Sequence, residues 1–199
     1  MGLNKKNRVI KRWFDLFFAL IGLCVIGLPV FILILMSTIS TRKFGLYSQT
    51  RIGLNGEPFV MYKIRSMEEG NEETAVTLES DPRITRFGRM IRRYKLDELP
   101  QLWNVLIGDM SLVGPRPDVA GYADMLKGED QLILSVRPGI TGPATLKYKN
   151  EDQILAGQED PILFNDQVIW KDKVEINKKY IRNWSLKGDI KYIIRTLFD

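Results

Sequence analysis

The sequence contains no histidine, and this absence removes several kinds of active site. Ser-His-Asp triads, Cys-His pairs and histidine-ligated zinc all need an imidazole. Any chemistry must therefore use carboxylates, lysine, arginine or hydroxyl groups. The sequence also has a single cysteine, Cys24, so a disulfide within the chain is impossible, which fits a reducing compartment. Cys24 lies in an apolar run, where we interpret it as a packing residue.

Positive charge is only in modest excess, since 29 Lys and Arg stand against 24 Asp and Glu, which gives a net charge of +5. This balance favours anionic partners, such as phospholipid headgroups, nucleotides or nucleic acid, without choosing among them. A length of 199 residues, 45% of them hydrophobic, suits one catalytic domain plus an anchor. The sequence has no internal repeat, which argues against a solenoid.

The longest apolar run, residues 13–40, contains one charge, Asp15, and predicts a membrane segment. A signal peptide would have a shorter apolar core followed by a small-residue cleavage site, so we expect the segment to be retained. A straight helix of this length would be about 42 Å long, whereas the hydrocarbon core is about 30 Å thick. Pro29, preceded by Gly22 and Gly27, predicts a kink in this helix.

Basic residues flank the apolar run on both sides, with Arg42 and Lys43 following it. Because positive residues mark the cytoplasmic ends of membrane segments, we favour a re-entrant helix, broken near Pro29, with both ends at the cytoplasm. A tilted, kinked single span is the alternative. The predicted organisation is a membrane anchor over residues 1–43 and a catalytic domain at the cytoplasmic face over residues 44–199.

The sequence after the anchor predicts a mainly α fold with a small β-hairpin. Strand-like runs at residues 47–52 and 59–64 are separated by a loop that contains Asn55-Gly56, a strong hairpin signal. Residues 68–81 show no periodicity and predict a mobile loop.

Two helices are predicted next. The first begins at Asp81-Pro82, where a capping residue precedes a first-turn proline. Its apolar residues, at helical spacing, are Phe87, Met90, Ile91 and Tyr94. Its arginines could lie against lipid phosphates, point into a substrate pocket or form a solvated basic face. The second opens at Pro100 and stops at Gly108. Its predicted core stripe is Leu99, Leu102, Trp103 and Leu106.

The rest of the chain contains ligand-loop candidates and further helices. The segments GDMSLVGPRPD and VRPGITGP are dense in glycine and proline and predict turns and loops. A second Asp-Pro start at Asp160 predicts a helix through about Asn183, whereas residues 149–160 have no assignment. The last helix is amphipathic, so we expect it to lie on the bilayer. Its apolar stripe is Ile190, Ile193, Ile194 and Leu197.

Two adjacent carboxylates, Asp97 and Glu98, stand between the basic helix and the helix that opens at Pro100. They form a candidate site because they meet many cations there. The alternative is that Asp97 only caps the following helix, a common role for aspartate. Spacing alone leaves both interpretations open.

The string RFGRMIRRYKLDELPQLWNVLIGDMSLVGPRP closely resembles the core signature of the bacterial sugar transferases, the monotopic phosphoglycosyl transferases. The resemblance begins at the N-terminal anchor, includes FVMYKIRSM and continues through VRPGITG to SLKGDIKYIIRTL, so it covers nearly the whole chain. Larger members carry additional membrane spans and a further domain, so we interpret this chain as a minimal catalytic member. The family's anchor usually breaks at a Ser-Pro pair, whereas Leu28 precedes Pro29 here, which leaves the kink angle open.

The resemblance implies that Asp97 is the nucleophile and that Glu98 helps to hold Mg²⁺. Attack by a carboxylate on a diphosphate phosphorus would give a covalent aspartyl-phosphosugar intermediate, and it needs charge neutralisation more than proton transfer. Such chemistry works without histidine. A hard cation with oxygen ligands suits two carboxylates and a diphosphate.

The resemblance also implies that Arg92 and Arg116 contact substrate phosphates, because guanidinium groups match phosphate oxygens in a bidentate way. A structural turn is the alternative for Arg116. Lys63 and Arg137 match basic family positions and are further candidates for substrate binding, each with a structural role as its alternative.

The implied reaction moves a sugar 1-phosphate from a nucleoside diphosphate sugar, by family expectation a UDP-sugar, to polyprenyl (undecaprenyl) phosphate and releases UMP. The expected place is the cytoplasmic face of the bacterial inner membrane, in contact with phospholipid and without nucleic acid. The sugar is left open, as is a homo-oligomer. The alternatives are a membrane-tethered protein that binds anionic lipid or nucleic acid without catalysis, and a hydrolase of lipid diphosphates.

Overall fold

A computed structural model describes residues 2–68 and 81–198 of the protein. The predicted mobile loop, residues 68–81, lies outside the described residues except for its two ends. The fold is mostly helical with a small antiparallel hairpin, which confirms the predicted class.

The helices and strands follow one another along the chain with short 3-10 turns between them. The helices are α1 (Lys5–Thr41), α2 (Arg86–Arg93), α3 (Gln101–Ile107), α4 (Pro143–Lys147), α5 (Glu151–Ala156), α6 (Pro161–Phe164), α7 (Trp170–Arg182) and α8 (Leu186–Phe198). The strands are β1 (Leu46–Ile52), β2 (Pro58–Ile64), β3 (Ser111–Val113) and β4 (Gly139–Thr141).

The N-terminal apolar run forms one continuous helix, α1. Asn4 caps its start by accepting a hydrogen bond from the Asn7 amide, and Arg42 ends it in the left-handed conformation (φ 55°). Within the described residues, α1 is the helix that is long and apolar enough to cross a membrane, by length and composition, with a mean hydropathy of 2.9 over its most apolar stretch. Helix assignment continues through Pro29, so α1 is not divided into two separate helices. The re-entrant topology stays a prediction.

Both ends of α1 pack on the rest of the protein. Near its start, the Asp15 carboxylate accepts a hydrogen bond from the Leu112 amide at 3.0 Å. Near its end, the Ser37 hydroxyl donates to the Arg65 carbonyl at 2.5 Å. The middle of the helix instead exposes large apolar side chains. The expectation for Cys24 was wrong, because its side chain is exposed on this part of the helix.

The C-terminal helix α8 is tied to α1 through one buried carboxylate. Asp189 is fully buried and accepts hydrogen bonds from Lys11 at 2.6 Å, Tyr180 at 2.8 Å and Trp184 at 2.9 Å. Helix α8 exposes three residues of its predicted apolar stripe, while the fourth, Ile193, packs against the core. The exposed residues are Ile190, Ile194 and Leu197. The position of α8 on the bilayer stays a prediction.

The predicted hairpin is present as the antiparallel pair β1–β2, in which Leu46 faces Ile64. Its connection places Asn55 at φ 59° and Gly56 at φ 81°. Asn and Gly tolerate this left-handed backbone better than other residues, which explains the sequence signal.

The glycine- and proline-rich segments were predicted to be turns and loops, and this expectation was partly wrong. They contain β3 and β4, which pair in parallel, Ser111 facing Gly139 and Val113 facing Thr141. At Gly139 the reason for glycine is a close approach, since a Cβ there would lie 2.1 Å from the Gly114 nitrogen. Pairing between segments this far apart leaves no local signal in the sequence.

The first predicted basic helix begins later than expected. Helix α2 starts at Arg86, and its cap is Thr85, whose hydroxyl accepts from the Gly88 amide at 2.9 Å. Asp81 instead binds the Arg83 guanidinium at 2.7 Å. Thr85 and Asp81 are both residue types that often cap helices, so the sequence alone does not show which of them caps α2.

Helix α3 ends at Gly108 (φ 104°) as predicted, but the predicted core stripe was only partly right: Leu102 packs against a core cluster, whereas Leu99 and Leu106 are only partly buried. The buried face of α3 consists of Gln101, Asn104 and Val105, while Trp103 is 50% exposed. The fully buried Asn104 side chain replaces apolar packing with hydrogen bonds to strand β2.

The second Asp-Pro start is confirmed, since the Asp160 carboxylate accepts from the Leu163 amide at 2.9 Å. Helical structure then continues, through a π-helical turn, to the C-cap Asn183. The core lies between these helices and the small sheets. Its central apolar residues include Val113, Ile133, Val136, Val174 and Ile181.

Candidate active site

The two predicted carboxylates, Asp97 and Glu98, here called the dyad, lie in a 3-10 turn, Leu96–Glu98, between α2 and α3. Lys95 enters this turn with a left-handed backbone (φ 53°), a conformation that costs a non-glycine residue about 1 kcal/mol or more. The cap position of α3 is occupied by Pro100, not Asp97, and no hydrogen bond from an α3 amide to the Asp97 carboxylate is present among the described residues. The capping alternative for Asp97 is therefore excluded.

The dyad faces an open cavity of about 1400 Å³. Strands β1 and β2, helix α2, the segment after β3 and the start of α5 all contribute to its walls. Pockets for single small ligands are typically about 300–1000 Å³, so this cavity has room for more than one phosphorylated group. It brings together the predicted site residues Lys63, Arg92, Asp97, Glu98 and Arg116.

Glu98 is the electrostatic centre of the site. The Arg116 guanidinium donates to its Oε1 at 2.5 Å, and the Lys63 ammonium lies 3.7 Å from the same oxygen. Burial raises the pKa of Glu98, but the positive charges of Arg116 and Lys63 outweigh it and lower the pKa to about 2. Glu98 is therefore ionised at any physiological pH.

Asp97 lies in a different environment although it is the neighbouring residue. Burial and the negative charge of Glu98 raise the pKa of Asp97, and the charges of Lys63 and Arg92 only partly oppose them. Two carboxylates whose environments separate their pKa values are a common feature of sites in which each has its own role.

The charged groups of the site shift the pKa values of its cations. Burial and the charge of Arg116 lower the pKa of Lys63. The Glu98 charge raises the pKa of Arg116. Arg92 lines the cavity from the last turn of α2, where its guanidinium contacts the Met67 sulfur at 3.6 Å.

Arg137 is placed differently from the other predicted site residues. It is not among the described residues that line the cavity. Its Nε donates to the Gly108 carbonyl at 2.6 Å, just after the end of α3. This contact favours the structural alternative for Arg137.

The cavity lining also includes residues that were not predicted from the sequence, among them Gln49, Arg51, Asn150 and Gln153. The first two alternate along β1, so they follow the period of two that places every second residue on one face of a strand. The last two lie at the start of α5, within residues 149–160, for which the sequence analysis made no assignment.

The carboxylate oxygens of Asp97 and Glu98 are the candidate ligands for the predicted Mg²⁺. Within the described residues, no group of three or more His, Cys, Asp or Glu side chains could hold a metal ion. Two adjacent carboxylates supply part of an octahedral oxygen shell, and Mg²⁺ commonly completes such a shell with phosphate oxygens and water. Asp97 and Glu98 therefore fit a Mg²⁺ that is shared with a phosphorylated substrate.

Residues 6–199 match the family model described as bacterial sugar transferase. The chain is 34% identical to the uncharacterized sugar transferase EpsL of Bacillus subtilis, with 95% of this chain and 86% of EpsL covered. It is 30% identical to the exopolysaccharide production protein ExoY of Sinorhizobium fredii, covering 95% of this chain and 84% of ExoY.

A longer relative is the UDP-glucose:undecaprenyl-phosphate glucose-1-phosphate transferase of Escherichia coli, which is 36% identical over 98% of this chain. The chain spans 41% of the length of that protein. The match to the family model covers nearly every residue, including the dyad and the cations around it. The chain belongs to the bacterial sugar transferase family.

Proposed function

We propose that the protein is a phosphoglycosyl transferase that moves a sugar 1-phosphate from a UDP-sugar to undecaprenyl phosphate and releases UMP. The observation that carries this proposal is the dyad itself: two adjacent carboxylates face a wide cavity among Lys63, Arg92 and Arg116. The activity for which the Escherichia coli relative is named supports the same reaction class. The product would be the first lipid-linked intermediate of a surface glycan.

The first half-reaction would form a covalent intermediate on Asp97. A carboxylate oxygen of Asp97 attacks the phosphorus that bears the sugar, the phosphoanhydride bond breaks, and UMP leaves with the bridging oxygen. In the second half-reaction an oxygen of the lipid phosphate attacks the same phosphorus and releases the Asp97 carboxylate. One phosphoanhydride bond is broken and one is formed, so the enzyme must mainly position and neutralise its substrates.

The neighbouring residues suit this division of work. Arg116 and Lys63 already hold Glu98 ionised, so the Glu98 oxygens can serve a cation at any physiological pH. A bound Mg²⁺ would supply charge neutralisation for the diphosphate. Arg92 and Arg116 would bind the phosphate oxygens and align the phosphorus with Asp97.

We also propose that α1 is re-entrant and that the active site lies at the cytoplasmic face of the inner membrane. Both ends of α1 pack on one body, through Asp15 near the start and Ser37 near the end, while the apolar middle is exposed. Single-cysteine variants at Asn4 and Ser48, made in a Cys24→Ser background, would test this topology. Labelling of both positions from the cytoplasm is expected, and labelling from opposite sides would contradict it.

The reaction is tested by screening nucleotide sugars with undecaprenyl phosphate and Mg²⁺ while measuring release of the nucleoside monophosphate. We expect release by the wild type, and loss of release on chelation of Mg²⁺ and in the Asp97→Asn variant. An Arg137→Gln variant is the matched control outside the cavity. Lipid binding without turnover in either the wild type or Asp97→Asn would support a binding protein instead.

A further inference from the structure

One face of strand β1 forms a wall of the cavity. Tyr47, Gln49 and Arg51 alternate along the strand and all line the cavity. Across the hairpin, Tyr47 pairs with Lys63, so this face also carries one of the predicted site residues. Arg51 therefore joins Arg92 and Arg116 among the arginines that line this cavity.

Arg51 differs from Arg116 and Lys63 in the partners of its side chain. Its terminal nitrogen donates to the Gln49 amide oxygen at 2.7 Å, while its Nε is buried and has no hydrogen-bond partner among the described residues. No carboxylate within the described part of the chain forms an ion pair with it. By contrast, Arg116 and Lys63 both engage Glu98.

This arrangement leaves Arg51 with capacity for an anion. A buried guanidinium nitrogen without a partner is unfavourable, and nearby positive charge adds to the cost. Burial and the charge of Arg116 lower the pKa of Arg51, and Asp118 opposes them from beyond ion-pair distance. A phosphate group entering the cavity would relieve both the missing hydrogen bonds and the repulsion.

We propose that Arg51 is a substrate-binding residue whose guanidinium donates hydrogen bonds to a phosphate oxygen in the cavity. The inference rests on the proposed function for the identity of the substrates, but the phosphate contact itself does not require turnover. The phosphate could belong to the diphosphate of the donor or to the lipid acceptor. Gln49 would hold the guanidinium in place for either one.

The test compares Arg51→Gln and Arg51→Lys with the wild type, using the full chain in detergent or nanodiscs. Arg182→Gln is the control, because Arg182 forms its ion pair with Glu129 on the exposed surface. Calorimetry would measure binding of inorganic diphosphate with Mg²⁺. Steady-state kinetics would measure KM for the UDP-sugar and for undecaprenyl phosphate separately.

We expect Arg51→Gln to weaken diphosphate binding by about 10- to 100-fold, the usual effect of losing a charge-assisted hydrogen bond. Arg51→Lys should lie between it and the wild type, since lysine keeps the charge without the planar fork. A raised KM for the UDP-sugar alone assigns the contact to the donor, and a raised KM for the lipid alone assigns it to the acceptor.

Diphosphate binding and both KM values within about twofold of the wild type would overturn the proposal. It would also be overturned if both variants lose the thermal unfolding transition together with binding, because Arg51 would then be structural. If the wild type binds diphosphate in an Arg51-dependent way but turns over no nucleotide sugar, the proposed function fails and the Arg51 contact stands.

Discussion

Replacing Asp189 by asparagine should destabilise the protein strongly, because it leaves a buried lysine without its counter-charge. Asp189 is fully buried, and its Oδ2 lies 2.6 Å from the Nζ of Lys11. The Lys11 side chain is itself only 7% exposed. The Tyr180 hydroxyl and the Trp184 indole also donate to this carboxylate. Asparagine keeps the shape but has a single acceptor oxygen, whereas Tyr180 donates to one carboxylate oxygen and Lys11 and Trp184 donate to the other. The variant therefore removes the charge together with one acceptor.

The expected size follows from the burial of the pair. Removing one partner of a buried ion pair costs about 3–5 kcal/mol. For a chain of this length each kcal/mol corresponds to about 2–4 °C in melting temperature, so we expect Asp189→Asn to melt about 6–20 °C below the wild type. The network joins α1 to α8, so the packing of both helices should loosen together.

The assay is thermal unfolding of the full chain in one detergent, read by circular dichroism or intrinsic fluorescence. Arg182→Gln, which breaks an exposed pair with Glu129, is the matched control and should shift the melting temperature by less than about 4 °C. A double variant, Lys11→Met with Asp189→Leu, should recover part of the loss, since apolar pairs often replace buried ion pairs well. A melting temperature for Asp189→Asn within about 2 °C of the wild type would refute the reasoning.

Three further substitutions test other parts of the structure. Asn104→Ala removes two buried hydrogen bonds to β2. We therefore expect the free energy of unfolding, measured by thermal denaturation, to fall by about 2–4 kcal/mol and turnover to fall as well. Burial raises the pKa of Asp118 to about 6, above about 3.9 in an unfolded chain, so its ionisation costs stability as pH rises from about 4 to above 6. Asp118→Asn should therefore raise the melting temperature at pH 7.5 by about 2 °C or more and leave it unchanged at pH 4; a rise at pH 4 would contradict the assignment. Gly139→Ala would place a Cβ 2.1 Å from the Gly114 nitrogen, so it should lower both the melting temperature and turnover, and a wild-type melting curve would argue against this close approach.

The features that the sequence predicted well have local causes. The hairpin follows from Asn55-Gly56, which tolerates a left-handed backbone, and the end of α3 follows from Gly108 for the same reason. Five predicted site residues line the cavity. Four of them, Arg92, Asp97, Glu98 and Arg116, lie in one continuous sequence motif, and the fifth, Lys63, lies on strand β2.

The features that the sequence missed depend on contacts between distant segments. The parallel pairing of β3 with β4 brings together residues far apart in the chain, and no local pattern encodes it. The buried face of α3 was misjudged because Asn104 is buried through hydrogen bonds that only the position of β2 provides. Arg137 shares the basic character of the site residues, and only the structure separates it from them: it is not among the described residues that line the cavity, and its Nε donates to the Gly108 carbonyl.

The most direct test of the proposed mechanism is to search for a covalent adduct on Asp97. The purified full chain would be incubated with its UDP-sugar and Mg²⁺ without the lipid acceptor, quenched, digested and examined by mass spectrometry. The mechanism predicts a sugar phosphate on the peptide that contains Asp97, absent from Asp97→Asn and removed when undecaprenyl phosphate is added. An enzyme that turns over the same donor while Asp97 never carries a sugar phosphate would contradict it.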